Sequence, residues 1–392
     1  MNELKDLVVL ELASVLAGPG AGQFFAELGA SVIKVENLKT SGDVTRGWKS
    51  SGENTDDRSA YFCSVNWGKQ SIAVDLSTLA GQDIVSGLAS RSDIVIASYK
   101  PGDAEKLRVD YKTLSKENPA LIYGQITGYG SSNPRVGYDA VIQAESGFMY
   151  LNGEPGGRSL KMPVALMDVL ASHHLKEGLL LALLERARTG KGQLVEVSLI
   201  DAAVASLANQ ATNFLVGRQL PEKKGSAHPN IAPYGDVFTT VDGKEILLAV
   251  GTDGQFARLC SVLKIHRVSE DDRFKANVLR VRNRAQLNTV LAAAVSEVTA
   301  ADLMKALTEE KIPAGLVRNV REVMTDPDLE HIRISKDSLA GIRTYVGPGM
   351  PDLSSHILPP PHFGEHTRAV LAKMLKFSPT AIEELFLKGI IQ

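Results

Sequence analysis

Asp168 stands between a short apolar run at 163–167 (PVALM) and a segment in which Leu170, Leu175, Leu179, Leu183 and Leu184 recur at helical spacing. An aspartate at such a strand-to-helix junction can cap the helix, or, presented by a sharp turn, offer an ionised oxygen to a cleft as a nucleophile. The two roles are compatible, because a helix N-terminus favours the carboxylate form. Arg46, two residues before Trp48, is a candidate for an acidic ligand, since a guanidinium grips a carboxylate bidentately; the alternative is an Arg46–Asp43 ion pair near the surface. His173 and His174 are adjacent and point in different directions on a helix, and His228 is remote, so no metal site is expected.

The elements that must position these groups alternate. Residues 7–12 form a short apolar run that reads as a buried strand, residues 21–28 as a helix, and 31–36 (SVIKVE) as a second strand, giving a βαβ opening. Strand-like runs follow at 71–76, 93–97, 121–125, 163–167 and 194–199, with helices expected at 81–89, 169–188 and 201–215. The pattern predicts an α/β fold with a doubly wound parallel sheet. Residues 217–234 are polar, with three prolines, and read as a linker. Residues 237–241 and 244–250 flank Asp242-Gly243, a strong hairpin signal. Helices expected near 255–263, 285–298 and 301–310 complete a smaller α+β region. A proline- and glycine-rich exit at 347–363 leads to helices at 366–375 and 380–388, which should rejoin the first domain. The expected division is therefore 1–216 with 330–392 against 217–329.

Gly18-Pro19-Gly20-Ala21-Gly22 after the first strand superficially resembles a dinucleotide fingerprint. The sixth position of that pattern is Gln23 instead of glycine, so the cluster reads equally as a tight turn feeding a helix.

The 392 residues carry a net charge of −2, with 44% hydrophobic and 22% charged residues, which fits an ordinary folded protein and leaves no basic surplus for nucleic acid. Cys63 and Cys260 are far apart and lack metal-ligand spacing, and no apolar run spans a bilayer. A cytoplasmic location with no membrane partner is expected.

Several segments together, in order and spacing, resemble the class III coenzyme A transferases: LELASVLAGPG with LGASVIKVE, SGDVTRGW, GYDAVIQAESG, MDVLAS, TGKGQLVEVSL and HPNIAPY. The resemblance runs over nearly the whole chain. It implies a Rossmann-like larger domain built from both chain ends, a smaller middle domain, and an interlocked homodimer. It also implies CoA transfer from an acyl-CoA, with succinyl-CoA the favoured donor, to a small carboxylic or dicarboxylic acid, with coenzyme A as acyl carrier and no metal. Asp168 matches the family's nucleophilic aspartate. A carboxylate suits this chemistry: its attack on a thioester gives a mixed anhydride that keeps the acyl group activated, and the released thiolate attacks back to leave an aspartyl-CoA thioester.

By the same resemblance Val15, Lys69, Ser98, Tyr99 and Lys106 match cofactor contacts, with Arg135 and Lys100 as further basic candidates. Leu16 replaces a glutamine of the formyl-CoA enzymes, which implies a more apolar acyl site. Gly251 and Gly254, in 249–255, stand where relatives carry a glycine-rich loop that closes over the aspartate, here with two glycines only. Tyr138 and Asp139 occupy the place where the related α-methylacyl-CoA racemases carry His-Asp. A tyrosine is a poor proton exchanger at its ordinary pKa, so racemisation is the weaker alternative. A non-catalytic acyl-CoA or nucleotide-binding protein is the other.

Overall fold

The computed structural model describes residues 4–347 and 357–392. Part of the expected proline- and glycine-rich exit lies outside the described residues. The chain forms two compact units: the described residues of Met1–Phe148, Lys161–Thr212 and Asp328–Gln392, and Met149–Leu160 with Asn213–Pro327. Residues 149–160, expected with the larger domain, belong with the second unit. They are tied there by the Gly225 N–H donated to the Gly153 carbonyl and by Lys223 over the Tyr150 ring.

The first unit is built on six parallel strands, β1 (Val8–Leu12), β2 (Ser31–Asn37), β3 (Lys69–Val74), β4 (Ile94–Ala97), β5 (Ile122–Thr127) and β6 (Leu194–Ser198), in the order β3-β2-β1-β4-β5-β6. This is the doubly wound order, and it reverses between β1 and β4. The central strands β1 and β4 read as near-continuous apolar runs because both faces are covered, whereas the edge strand β6 alternates and is partly exposed. Val9, Val32, Ile94 and Ile122 face helices α1 (Ala17–Glu27) and Leu166–Thr189. Leu10, Ile33, Ile72 and Val95 face the opposite layer, which includes Val370, Leu371 and Ile382 of the C-terminal helices. At the β3 edge, Asp75 N–H reaches the Ile390 carbonyl and Val74 pairs with Ile391, so the chain end covers that edge.

Three expectations are corrected. Helix α1 starts at Ala17, four residues early, so Gly18-Pro19-Gly20-Ala21-Gly22 lies inside the helix and is not a turn. The glycines serve close packing instead: a Cβ at Gly18 would collide with the Ala13 Cβ, and one at Gly22 with the Glu11 carboxylate. Residues 163–167 form no strand; the helix begins at Leu166, and a five-residue apolar run does not by itself distinguish a strand from a buried helix start. The single helix expected at 201–215 is two, Leu199–Ala205 and Ala208–Leu215, parted where Ala208 takes φ 46°.

The second unit contains an antiparallel sheet, Tyr234–Thr239, Glu245–Ala249 and Ala314–Leu316, with the expected hairpin between the first two strands. Helices Asp253–Val262, Arg284–Val295 and Ala300–Glu309 pack on it around Ile246, Leu248, Phe256, Leu291 and Leu307. Among the described residues no helix is long and apolar enough to cross a membrane.

Candidate active site

Where the sheet order reverses, the carboxyl ends of β1, β4 and β5 open a cleft of about 640 Å³. Val15, Leu16, Trp48, Ser98, Tyr99, Arg135, Tyr138, Asp139 and Asp168 all line it. Nine of the expected site residues, drawn from five separate stretches of sequence, therefore meet at one place. A second cavity of about 460 Å³, over the ends of β1, β2 and β3, shares Ser14, Val44 and Tyr99 with the first.

Asp168 is the third residue of its helix, α2 (Leu166–Thr189), and not its N-cap, which is Ala165. It falls on the stripe that also buries Ala171, Ser172, Leu175 and Leu179, which is why it faces inward. It is 8% exposed, and among the described residues no hydrogen bond or ion pair engages its carboxylate. Burial, and secondarily the charge of Asp139, push its pKa up to about 7. Asp168 is thus a carboxylate whose ionised form is poorly solvated.

The helix is capped from a distance. Ala165 has no side chain to offer, and Asp139, 28 residues earlier, accepts the Met167 N–H at 2.8 Å. The other oxygen of Asp139 accepts from Gln143 Nε2 at 2.7 Å, and Gln143 Oε1 accepts the Met162 N–H at 2.8 Å. Asp139 therefore acts as the cap that positions the Asp168 turn. Asp139 also lines the cleft, so this capping role stands beside its expected place at the substrate site. Capping by a residue so far away leaves no local sequence signature.

Tyr61 escaped the sequence reading. Its ring meets Trp48 edge-on at 5.2 Å between centroids, and burial together with the charges of Asp168 and Asp139 pushes its pKa up to about 12. Tyr61 is therefore a neutral phenol within electrostatic reach of Asp168. Only its aromatic neighbours in SAYF marked it.

Two expected ligand contacts are spent inside the protein. Arg46 is buried: Nε and Nη2 hold the two Glu36 oxygens at 2.8 and 2.6 Å, Nη1 reaches Asp57 and the Pro361 carbonyl, and the guanidinium lies 3.8 Å over the Phe62 ring. Its partners are Glu36 and Asp57, neither the cleft nor Asp43. Arg46→Ala should lower the unfolding free energy by about 3–5 kcal/mol, because Glu36 would be left buried and unpaired. Urea unfolding checks this; unchanged stability with a raised KM for the acid would restore Arg46 as a substrate ligand. Lys69 is fully buried, with Nζ 2.7 Å from Glu11 Oε2 and bonded to the Pro19 carbonyl and Asn66, so it cannot meet a phosphate in the cleft.

Lys106 lies off the cleft, 76% exposed and paired with Asp103. Lys100 and Arg135 do line it; Arg135 pairs with Glu145 and stacks on Tyr129 while remaining half-exposed. Gly251 and Gly254 belong to the second unit. There 249–255 is a strand end running into a helix closed by a Thr252–Gln255 capping box, with Gly254 already helical, and is not a free glycine loop. Asp56, Asp57 and His362 bring ligand atoms together on the surface, but Asp56 is held by Arg58, and Asp57 by Arg46 and the Phe363 N–H.

A model of CoA-transferase family III matches residues 4–367. The chain is 37% identical to the succinate–glutarate CoA-transferase of Agrobacterium fabrum, over 96% of this chain and 97% of that one. It is 34% identical to the succinyl-CoA:glutarate CoA-transferase of Mus musculus, over 100% of this chain and 91% of that one. The crystal structure of a CAIB/BAIF family protein from Brucella suis superposes with a TM-score of 0.84 at 38% identity, covering 94% of this chain and 98% of that one. With an inward-facing aspartate at the switch point of a doubly wound sheet and these relatives along almost its full length, the chain belongs to CoA-transferase family III and is a CoA-transferase.

Proposed function

We propose that this enzyme moves CoA from succinyl-CoA to a short dicarboxylic acid, glutarate in the first instance, through covalent intermediates on Asp168. The observation that carries the covalent route is the Asp168 carboxylate: buried, facing the cleft, and held by no counter-charge among the described residues. The acid pair is supported by the names of the relatives in Agrobacterium and mouse.

Asp168 attacks the thioester carbonyl, the C–S bond breaks, and succinyl-aspartyl anhydride and CoA thiolate result. The thiolate attacks the aspartyl carbonyl of the anhydride, releasing succinate and leaving aspartyl-CoA thioester. The acceptor carboxylate then displaces the thiolate to form a second anhydride. Attack of that thiolate on the acceptor's acyl carbon yields the new acyl-CoA and returns Asp168 as carboxylate. Every step exchanges one anionic nucleophile for another, so no net proton transfer is required. The chemistry favours a dry site, since water would hydrolyse each intermediate.

Coenzyme A fits the two linked cavities, with its thioester at Asp168 and its nucleotide end toward the β1–β3 side. Ser98, Tyr99 and the backbone at Val15 lie along that path, and Lys100 and Arg135 supply positive charge for phosphate or for the acid. Leu16 at the cleft wall makes room for a carbon chain instead of a second polar contact. Tyr138, in place of a proton-exchanging histidine, disfavours racemisation. We place the reaction in the cytoplasm, which is supported by two buried, unbridged cysteines. The working form we infer is the homodimer; Leu181 and Leu184, each about two-thirds exposed on one face of α2, provide apolar surface for a second copy. Sedimentation equilibrium should give twice the chain mass, and a monomer at working concentration would refute that assembly.

Mass spectrometry of the peptide bearing Asp168, after incubation with succinyl-CoA, should show a CoA adduct that glutarate discharges as glutaryl-CoA. Turnover without any adduct would overturn the covalent route, and discharge by other acids but not glutarate would overturn the acid pair.

A further inference from the structure

The β1–α1 turn forms the wall of the cleft at Val15 and Leu16, and its backbone is unusual. Val15 takes φ 71°, and it is the single β-branched residue with positive φ among the described residues. A β-branched side chain in the left-handed region is strained, so something must hold it there. The holding group is visible. Asp43 Oδ1 accepts the Val15 N–H at 3.3 Å, the Thr45 N–H at 3.0 Å and the Thr45 hydroxyl at 2.8 Å. Asp43 Oδ2 lies 2.9 Å from Lys34 Nζ, which also bonds Glu11 Oε1 at 3.0 Å and the Ala13 carbonyl at 2.8 Å. The Asp43 N–H is in turn held by Glu36 Oε1 at 2.9 Å, itself fixed by Arg46.

Both side chains of the Asp43–Lys34 pair are essentially without solvent exposure. Burial opposes the charge of each, yet Lys34 is held above its ordinary pKa by Asp43 and Glu11, and Asp43 below its own by Lys34, so the pair is ionised. A buried ion pair is a costly way to stabilise a fold, and hydrophobic residues often do as well. This one grips the turn on both sides: Lys34 at the Ala13 carbonyl and Asp43 at the Val15 N–H.

We propose that Asp43, braced by Lys34, is a positioning residue for CoA transfer, clamping the strained Val15 turn so that the cleft wall at Val15 and Leu16 stands in register with Asp168. The proposal rests on the transferase reading for its rate consequences, but the clamp itself can be observed without substrate.

The test is a double-mutant cycle of Asp43→Ala and Val15→Gly, because glycine adopts positive φ without strain and needs no clamp. With Val15 present, Asp43→Ala should lower kcat about 30-fold or more, and should speed amide exchange of residues 13–18 at least about 10-fold in the unliganded protein. Whatever Val15→Gly costs alone, adding Asp43→Ala to it should cost less than about 5-fold further. Equal losses in both backgrounds, or unchanged exchange at 13–18, would overturn the clamp. Should Asp43→Ala fail to fold with Val15 present, a folded, active double variant supports the proposal and an unfolded one overturns it. Altered exchange in a protein that performs no transfer would locate the failure in the chemistry and leave the clamp standing.

Discussion

Replacing Asp168 by asparagine is expected to lower the rate of CoA transfer by about four orders of magnitude or more, since the amide cannot form either acyl intermediate. The same change should stabilise the folded protein at neutral and alkaline pH. Asp168 has its pKa raised to about 7 in the folded chain, while an unfolded aspartate titrates near 3.9. Between those values the folded state binds the extra proton, so wild-type stability falls as pH rises from about 4 to about 7 and is lowest above that window. The asparagine side chain would not titrate. The variant's advantage should therefore be absent at pH 4, grow through the window and level off above pH 7 at up to about 4 kcal/mol. Denaturant unfolding at pH 5 and pH 8 checks the stability arm, and acyl transfer under saturating substrates checks the rate. A variant that stays active, or whose stability tracks wild type at both pH values, would show that this carboxylate is neither nucleophile nor buried charge. For the wild type the same titration predicts that kcat/KM rises with pH about a midpoint near 7.

Asp139→Ala should lower kcat about 100-fold and shift that midpoint downward. The two effects have separate causes. Loss of the bond to the Met167 N–H uncaps the helix that carries Asp168, at a cost of about 1 kcal/mol, and lets the nucleophile's turn move. Loss of the neighbouring negative charge removes one of the two influences that raise the Asp168 pKa, so more of the nucleophile is ionised at pH 6. Asp139→Asn should recover part of the rate, because its carbonyl can still accept the Met167 N–H, while keeping the lowered midpoint. A group that only bound substrate would raise KM and leave the pH profile in place, and that outcome would refute the positioning role of Asp139.

Much of the architecture was legible because parallel strands buried on both faces must be short apolar runs, as at 7–12 and 93–97, and because the partly exposed edge strand at 194–199 alternates. The Asp242-Gly243 hairpin was equally plain, since few residues tolerate that turn. The run at 163–167 misled for the converse reason: buried helix starts and buried strands share one composition, and the true cap, Asp139, was remote. Asp168 itself was visible in sequence, as a carboxylate beside a helical leucine stripe and in the MDVLAS motif. The polar roles were decided only by packing. Arg46 and Lys69 look in sequence like free cations, and became internal counter-ions because the fold buried Glu36 and Glu11 beside them. Tyr61 came to rest against Trp48, Gln143 to brace Asp139, and Lys106 to lie off the cleft, for the same reason. Residue type sets what a side chain is able to do, but burial and the nearest opposite charge determine whether it is still available to a ligand, and both depend on contacts between residues far apart in the chain.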